Sequence, residues 1–200
     1  MQYVTNMNAE GPEKSERAAA RVSELVFQSR FVLVFGEIDQ DMARTTCERL
    51  IALSQESEAP IYLLISSPGG HVESGDAIHD MIRFLGAPVT TIGAGWVASA
   101  GIHIFLAADK ERRVCLPNTR FMIHQPAGGA GGPASDIEIQ AKEILRTRER
   151  IAHVIAKQTG QSLDKVMKDI DRDFWLRPDE ALDYGIISRV VSSYRDLREA

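Results

Sequence analysis

Short apolar runs that alternate with amphipathic helical patterns constrain this chain more than any other feature. Phe31-Val32-Leu33-Val34-Phe35 ends at Gly36, and Ile61-Tyr62-Leu63-Leu64-Ile65 is closed by Ser66-Ser67-Pro68-Gly69-Gly70. Val89 to Ile92 is a third run, and Val114 to Leu116 and Phe121 to Ile123 are shorter ones. Each has the length of a buried strand, and the segments between them place apolar residues at helical spacing. One helix is capped by Asp39 or Asp41 and faces inward through Met42, Ala43, Cys47, Leu50 and Ile51. A second starts at Ser74 and uses Ala77, Ile78, Met81, Ile82 and Leu85. A third, after Ser99, runs through His103, Phe105 and Ala107. This alternation predicts an α/β fold of parallel strands joined by right-handed helical crossovers.

The chain has 200 residues, enough for one domain with a short appendage. Residues 1–20 are polar and charged, which predicts a flexible N-terminal arm before a single domain over 21–200. A net charge of −5 and the lack of a basic stripe disfavour nucleic acid as a partner. No apolar run approaches the roughly 20 residues of a membrane-spanning helix, so no membrane partner is expected. The first residues lack a basic region followed by an apolar stretch, so no secretory signal is expected. Cys47 and Cys115 stand far apart with no CxxC, which points to reduced thiols and a cytoplasmic location. No pair of histidines has metal-ligand spacing, and no metal is expected. Residues 133–159 carry the longest helical pattern, about 40 Å of helix at 1.5 Å per residue. That exceeds what one small domain covers, so the helix is expected to project and pack on a copy of itself.

Chemistry in a parallel sheet gathers at the carboxyl ends of its strands. Three turns are expected there: after Ile65, after Ile92 and after Ile123. In the first, Gly69-Gly70 lets the backbone turn sharply and point N–H groups outward, as an oxyanion site requires. In the second, Gly93-Ala94-Gly95-Trp96-Val97-Ala98 fits a loose dinucleotide fingerprint, but the acidic residue expected about 20 positions on is absent. No nucleotide cofactor is therefore expected. The same stretch leads to Ser99, at a helix start among small residues, where free N–H groups and the positive helix end suit a developing oxyanion. In the third, His124 closes an apolar strand, and Pro126 keeps the following chain extended. An acid to orient that histidine is available in Asp171-Arg172-Asp173-Phe174-Trp175, where the aromatic neighbours predict a partly buried carboxylate. Spacing does not separate Asp171 from Asp173. Each feature alone has an ordinary structural explanation, a turn, a cap or a solvated loop. Together they supply nucleophile, base, acid and oxyanion donors in the order Ser…His…Asp, unlike the Ser…Asp…His order of α/β hydrolases.

These residues resemble the proteolytic subunits of the Clp protease. The resemblance is carried by Ser66-Ser67-Pro68-Gly69-Gly70, Gly95-Trp96-Val97-Ala98-Ser99-Ala100-Gly101, Leu116-Pro117-Asn118, Met122-Ile123-His124-Gln125-Pro126 and Asp136-Ile137-Glu138-Ile139. It continues through Thr159-Gly160-Gln161-Ser162, Asp171-Arg172-Asp173 and Glu180-Ala181-Leu182-Asp183-Tyr184-Gly185. It implies a Clp/crotonase-type fold of stacked beta-beta-alpha units with a projecting handle helix. It also implies a serine endopeptidase in which Ser99 is the nucleophile, His124 the base and Asp173 the orienting acid. Backbone N–H groups of Gly70 and Ala100 would hold the oxyanion, and Asp171 and Arg172 would make ring-to-ring contacts. The implied particle is a homo-oligomer of two stacked heptameric rings, or a mixture with a sister subunit. A Clp ATPase unfoldase of the ClpX or ClpA type would dock at Tyr62 and Phe84 and feed in unfolded proteins, so ATP would be used by that partner and no cofactor by this chain. Two departures stand out. Residues 1–25 lack the family's axial-loop pattern, and Leu64 and Val114 stand where aromatic docking residues are expected. Two other readings are a crotonase-like acyl-CoA hydratase or isomerase, which would use glutamates, and a catalytically silent subunit of a mixed ring.

Overall fold

Helix formation begins earlier than the polar composition suggests. In the computed structural model, which describes residues 12–129 and 131–197, helix α1 spans Pro12–Gln28. The boundary expected at residue 20 falls inside it. Glu, Arg and the Ala18-Ala19-Ala20 run are good helix formers, and Phe27 anchors the helix on the core. The remainder of the expected arm, residues 1–11, lies outside the described residues.

Strand β1 (Phe31–Phe35), helix α2 (Gln40–Glu56), β2 (Ile61–Ser67), α3 (Val72–Phe84), β3 (Val89–Ala98) and α4 (Ala100–Phe105) follow in regular alternation. Then come β4 (Arg113–Cys115), β5 (Arg120–Ile123), α5 (Ala134–Thr159), α6 (Leu163–Asp169), β6 (Phe174–Leu176), α7 (Pro178–Tyr184) and β7 (Arg189–Val190). The strands form one sheet in the order β1-β2-β3-β4-β7, with β5 on the second half of β3 and β6 on β5. The β1–β2, β2–β3, β3–β4, β3–β5 and β4–β7 pairings are parallel, and β5–β6 is antiparallel.

One local expectation is narrowed and two are corrected. Asp39 is the cap of α2, its carboxylate accepting from the Met42 N–H at 2.8 Å, while Asp41 lies in the first turn. Helix α3 starts at Val72 rather than Ser74; His71 is its cap residue, and the Ser74 hydroxyl lies 2.9 Å from His71 Nδ1. Strand β3 does not end at Ile92. It pairs with β2 from Val89 to Gly93 and again, past a register shift, at Val97 opposite Ser67. On its other edge the first half pairs with β4 and the second half with β5, from Trp96 opposite Arg120 to Ala98 opposite Met122. Gly95, at φ 63°, lies where the partners change. The turn expected after Ile92 therefore comes after Ala98, directly before Ser99.

The core follows the pleat. Ile61, Leu63 and Ile65 of β2 are fully buried beneath the helices, against residues such as Leu50, Leu53 and Ile78. Burying each such side chain is worth about 1.5–3 kcal/mol. Tyr62 and Leu64 point to the opposite face, where they meet Phe31, Ile92, Val114, Val191 and Leu197 in a second, thinner cluster. Helix α5 joins the body only at its C-terminal end, through buried Ala152, Ile155 and Thr159, and stops at Gly160 in a left-handed cap. Its N-terminal half leaves Ile137, Ile139 and Leu145 in the open, 41%, 59% and 61% exposed.

Candidate active site

The path from β3 into α4 forces Ser99 into an unfavourable backbone conformation. Its φ of 55° and ψ of −121° are rare for a residue with a Cβ and cost on the order of 1–3 kcal/mol. The Ser99 N–H is tied to the Met122 carbonyl at 3.0 Å, so β5 holds the elbow in place. The result is a hydroxyl raised above the strand end at the start of a helix.

Strand β5 places the imidazole. His124 follows its last residue, and Nε2 lies 2.7 Å from Ser99 Oγ. On the other side of the ring, Nδ1 lies 3.1 Å from Asp173 Oδ1. A carboxylate only accepts, so Nδ1 carries the proton and Nε2 is free to accept from the serine hydroxyl. The antiparallel register explains the choice of acid. Ile123 pairs with Phe174, so His124 faces Asp173 one step further along the ladder. Gln125 extends the clamp: its N–H donates to the Ile170 carbonyl at 2.6 Å and its side chain to the Asp171 carbonyl at 2.8 Å. Asp171 turns away, 3.5 Å from Arg148. The expectation of a partly buried carboxylate is not met, since the Asp173 side chain is 63% exposed within the single chain. Phe174 and Trp175 alternate away from it as members of a strand.

Glycines close the fourth side. Gly69 and Gly70 adopt φ of 101° and 151°. A Cβ on Gly69 would stand 2.5 Å from Ser99 Cβ, and one on Gly70 would stand 2.2 Å from the Ile38 carbonyl oxygen. The turn is therefore both conformationally and sterically reserved for glycine. The Ser67 hydroxyl, fully buried, accepts from the Gly69 N–H at 3.0 Å and braces the turn. Ser67 is a site residue to which the sequence reading gives no role of its own, because that role is a hydrogen bond made only once the turn has folded. The N–H groups of Gly70, next to Gly69, and of Ala100, the residue after Ser99 and first of α4, have no hydrogen-bond partner among the described residues.

A small apolar pocket opens beside Ser99 and His124, walled by Val72, Ile102, His103, Ile123, Ile151 and Ile155. Among the described residues, no group of three or more His, Cys, Asp or Glu could hold a metal ion, and no helix is long and apolar enough to cross a membrane. Tyr62 and Phe84, expected together at a docking cleft, are not joined within one chain. Tyr62 stacks on Phe31 at 5.1 Å on the thin face of the sheet, whereas Phe84 is 84% exposed at the end of α3, on the helical side.

A hydroxyl, an imidazole and a carboxylate in hydrogen-bonded series, beside free amides and an apolar pocket, are equipped for acyl transfer from a peptide to water. The comparisons agree with that chemistry. The family model described as Clp protease matches residues 13–194. The chain is 55% identical over 172 residues to "ATP-dependent Clp protease proteolytic subunit 3" of Rhizobium johnstonii, covering 86% of this chain and 89% of that protein. It is 53% identical over 182 residues to "ATP-dependent Clp protease proteolytic subunit 2" of Gluconobacter oxydans, covering 88% of this chain and 82% of that one. Among solved structures, ClpP1 from Listeria monocytogenes superposes with a TM-score of 0.79 at 49% identity, covering 88% of this chain and 99% of that one. The parallel sheet with its helices is accordingly the Clp-type fold, and nothing in the matches favours acyl-CoA chemistry. With nearly the whole described chain matched at this level, the chain belongs to the Clp protease family, as a proteolytic subunit of that family of serine peptidases.

Proposed function

We propose that this subunit cleaves peptide bonds with Ser99 as nucleophile, His124 as general base and Asp173 as the acid that orients it. Ser99 Oγ attacks the scissile carbonyl carbon while its proton passes to His124 Nε2. Asp173 holds Nδ1–H and stabilises the resulting imidazolium. The carbonyl oxygen, now negative, receives hydrogen bonds from the N–H groups of Gly70 and Ala100. His124 then returns the proton to the leaving amine, the C–N bond breaks, and a water activated by the same imidazole releases the acyl group from Ser99. The observation that carries this reading is the series Ser99–His124–Asp173, with contacts of 2.7 Å and 3.1 Å.

Substrates are short peptides and unfolded polypeptides cut inside a barrel of two stacked heptameric rings. The exposed apolar residues of the projecting half of α5 support such self-association. Asp171 and Arg172, adjacent in sequence to the active-site acid, bind ring to ring in this reading and so link assembly with activity. The numbered relatives support a second reading of the composition, in which a sister subunit shares the barrel. A Clp ATPase unfoldase feeds the chamber in the cytoplasm and is itself the user of ATP; this chain needs no cofactor or metal. Because Tyr62 and Phe84 lie on opposite sides of one sheet, a docking cleft using both draws them from neighbouring subunits.

Replacing Ser99 by Ala tests the assignment. Hydrolysis of a fluorogenic peptide should fall by at least about 10³-fold with the native mass of the particle unchanged. A full rate in the Ser99→Ala protein would reject it.

A further inference from the structure

The pocket beside Ser99 is held by a charged group that does not line it. Its walls come from α3, α4, β5 and α5, and the Asp76 carboxylate joins the three helices. Arg150 of α5 grips it with both arms, Nη1 to Oδ1 at 2.8 Å and Nη2 to Oδ2 at 2.7 Å. His103 of α4 reaches it with Nε2 at 2.9 Å from Oδ1. His103 is buried and is itself a pocket wall, and Arg150 precedes Ile151, another wall. On the far side of the His103 ring, His79 of α3 stacks at 4.4 Å between centroids and hydrogen-bonds to Asp80 at 3.1 Å.

The geometry points to Asp76 as a positioning residue that fixes the width of the substrate side-chain pocket and so the preference for the residue before the scissile bond. This rests on the reading of Ser99 as nucleophile. The physical case is direct. His103 lies one turn after Ser99, on a helix of only six residues with little hydrogen bonding of its own. Helix α5 leaves the body of the subunit near Arg150. Without the carboxylate, the His103 ring and the Arg150 guanidinium lose their shared partner, and two walls are free to separate. The other walls near this junction are aliphatic, so a pocket of fixed width favours a branched aliphatic side chain such as leucine over alanine, and a loosened one does so less.

The test uses the assembled particle and two peptides that differ only in leucine or alanine before the cut. Asp76→Asn should lower the leucine-over-alanine ratio of kcat/KM by roughly tenfold, mainly through a higher KM for the leucine peptide. Arg150→Lys keeps the charge but loses the two-armed grip, and it should shift the ratio in the same direction by less. It also tests the idea if Asp76→Asn does not assemble. An unchanged ratio in both variants, or a fall in kcat alone that is equal for both peptides, overturns the inference. Labelling of Ser99 by a fluorophosphonate in the parent enzyme separates the two readings. No labelling there overturns the assignment of Ser99 and the inference with it, whereas normal labelling with an unchanged ratio overturns only the inference.

Discussion

Strain and close approach are concentrated on a few residues around Ser99. Its positive φ is maintained because β5 fixes its N–H and the Gly69-Gly70 turn fills the space beneath it. A methyl group on Gly69 would need room already taken by the Cβ of Ser99 and would stand 3.0 Å from its Oγ. Gly69→Ala should therefore reduce kcat by about 10²-fold or more, with a much smaller effect on assembly. Steady-state kinetics on the native-mass particle checks this, and a near-normal kcat would mean that the turn relaxes freely. Asp173 offers a second test. An asparagine there can donate to Nδ1, which shifts the ring proton to Nε2, where it confronts the serine hydroxyl. Asp173→Asn should cost between about 10² and 10⁴ in kcat, with substrate binding little altered. Loss of binding without loss of turnover would assign Asp173 another role.

Between elements, single polar side chains do much of the joining. Arg30 precedes β1 in a left-handed conformation, φ 61°, and its guanidinium serves the end of α2 and the loop into β2. It donates to the carbonyls of Pro60 at 3.1 Å, Leu53 at 3.0 Å, Ser57 at 3.2 Å and Ala59 at 2.8 Å. Those carbonyls have few other donors, since α2 ends without a glycine cap. Arg30→Ala should lower unfolding stability by about 2–4 kcal/mol, and Arg30→Lys should recover only part of it because an ammonium cannot span the fork. Denaturant midpoints of the three proteins give the comparison; a loss below about 0.5 kcal/mol in Arg30→Ala would show that water replaces these bonds at no cost.

For the whole molecule, charge burial gives stability a defined pH dependence. Burial by itself would raise the Asp76 carboxyl, but the hydrogen bonds and charges of His103 and Arg150 outweigh it and hold the group well below the usual carboxylate range. An unfolded aspartate titrates near 4, so between that value and the depressed folded one the unfolded chain binds more protons. The contribution of Asp76 is thus complete above about pH 5 and declines as the pH falls. His79 adds a loss of the same sign nearer pH 6.5, because burial, and then the neighbouring His103, lower its pKa below the ordinary histidine value. The parent should exceed Asp76→Asn in stability by about 1–3 kcal/mol at pH 7 and by less at pH 3.5. Urea unfolding at both pH values measures this, and a gap that stays constant with pH would contradict it.

The sequence by itself determined the elements that bury apolar side chains in a simple period, and the site residues that sit at their ends. Phe31–Phe35, the helix before Ile61, the long helix after Pro133, Ser99 and His124 are of this kind, because hydrophobic spacing and turn residues are local properties. Tertiary structure decided what depends on pairing between distant segments. Phe174-Trp175-Leu176 is too short to announce itself as a strand. Spacing leaves Asp171 and Asp173 open, the family resemblance names Asp173, and the register with β5 supplies the physical reason that it is the partner of His124. In the same way β3 runs past Ile92 because β5 continues its ladder, and Asp76, His103 and Arg150 meet only because three helices converge. Hydrogen-bonded contact across large sequence separations leaves no periodic trace in the chain, so such choices are fixed when the sheet and its helices close together.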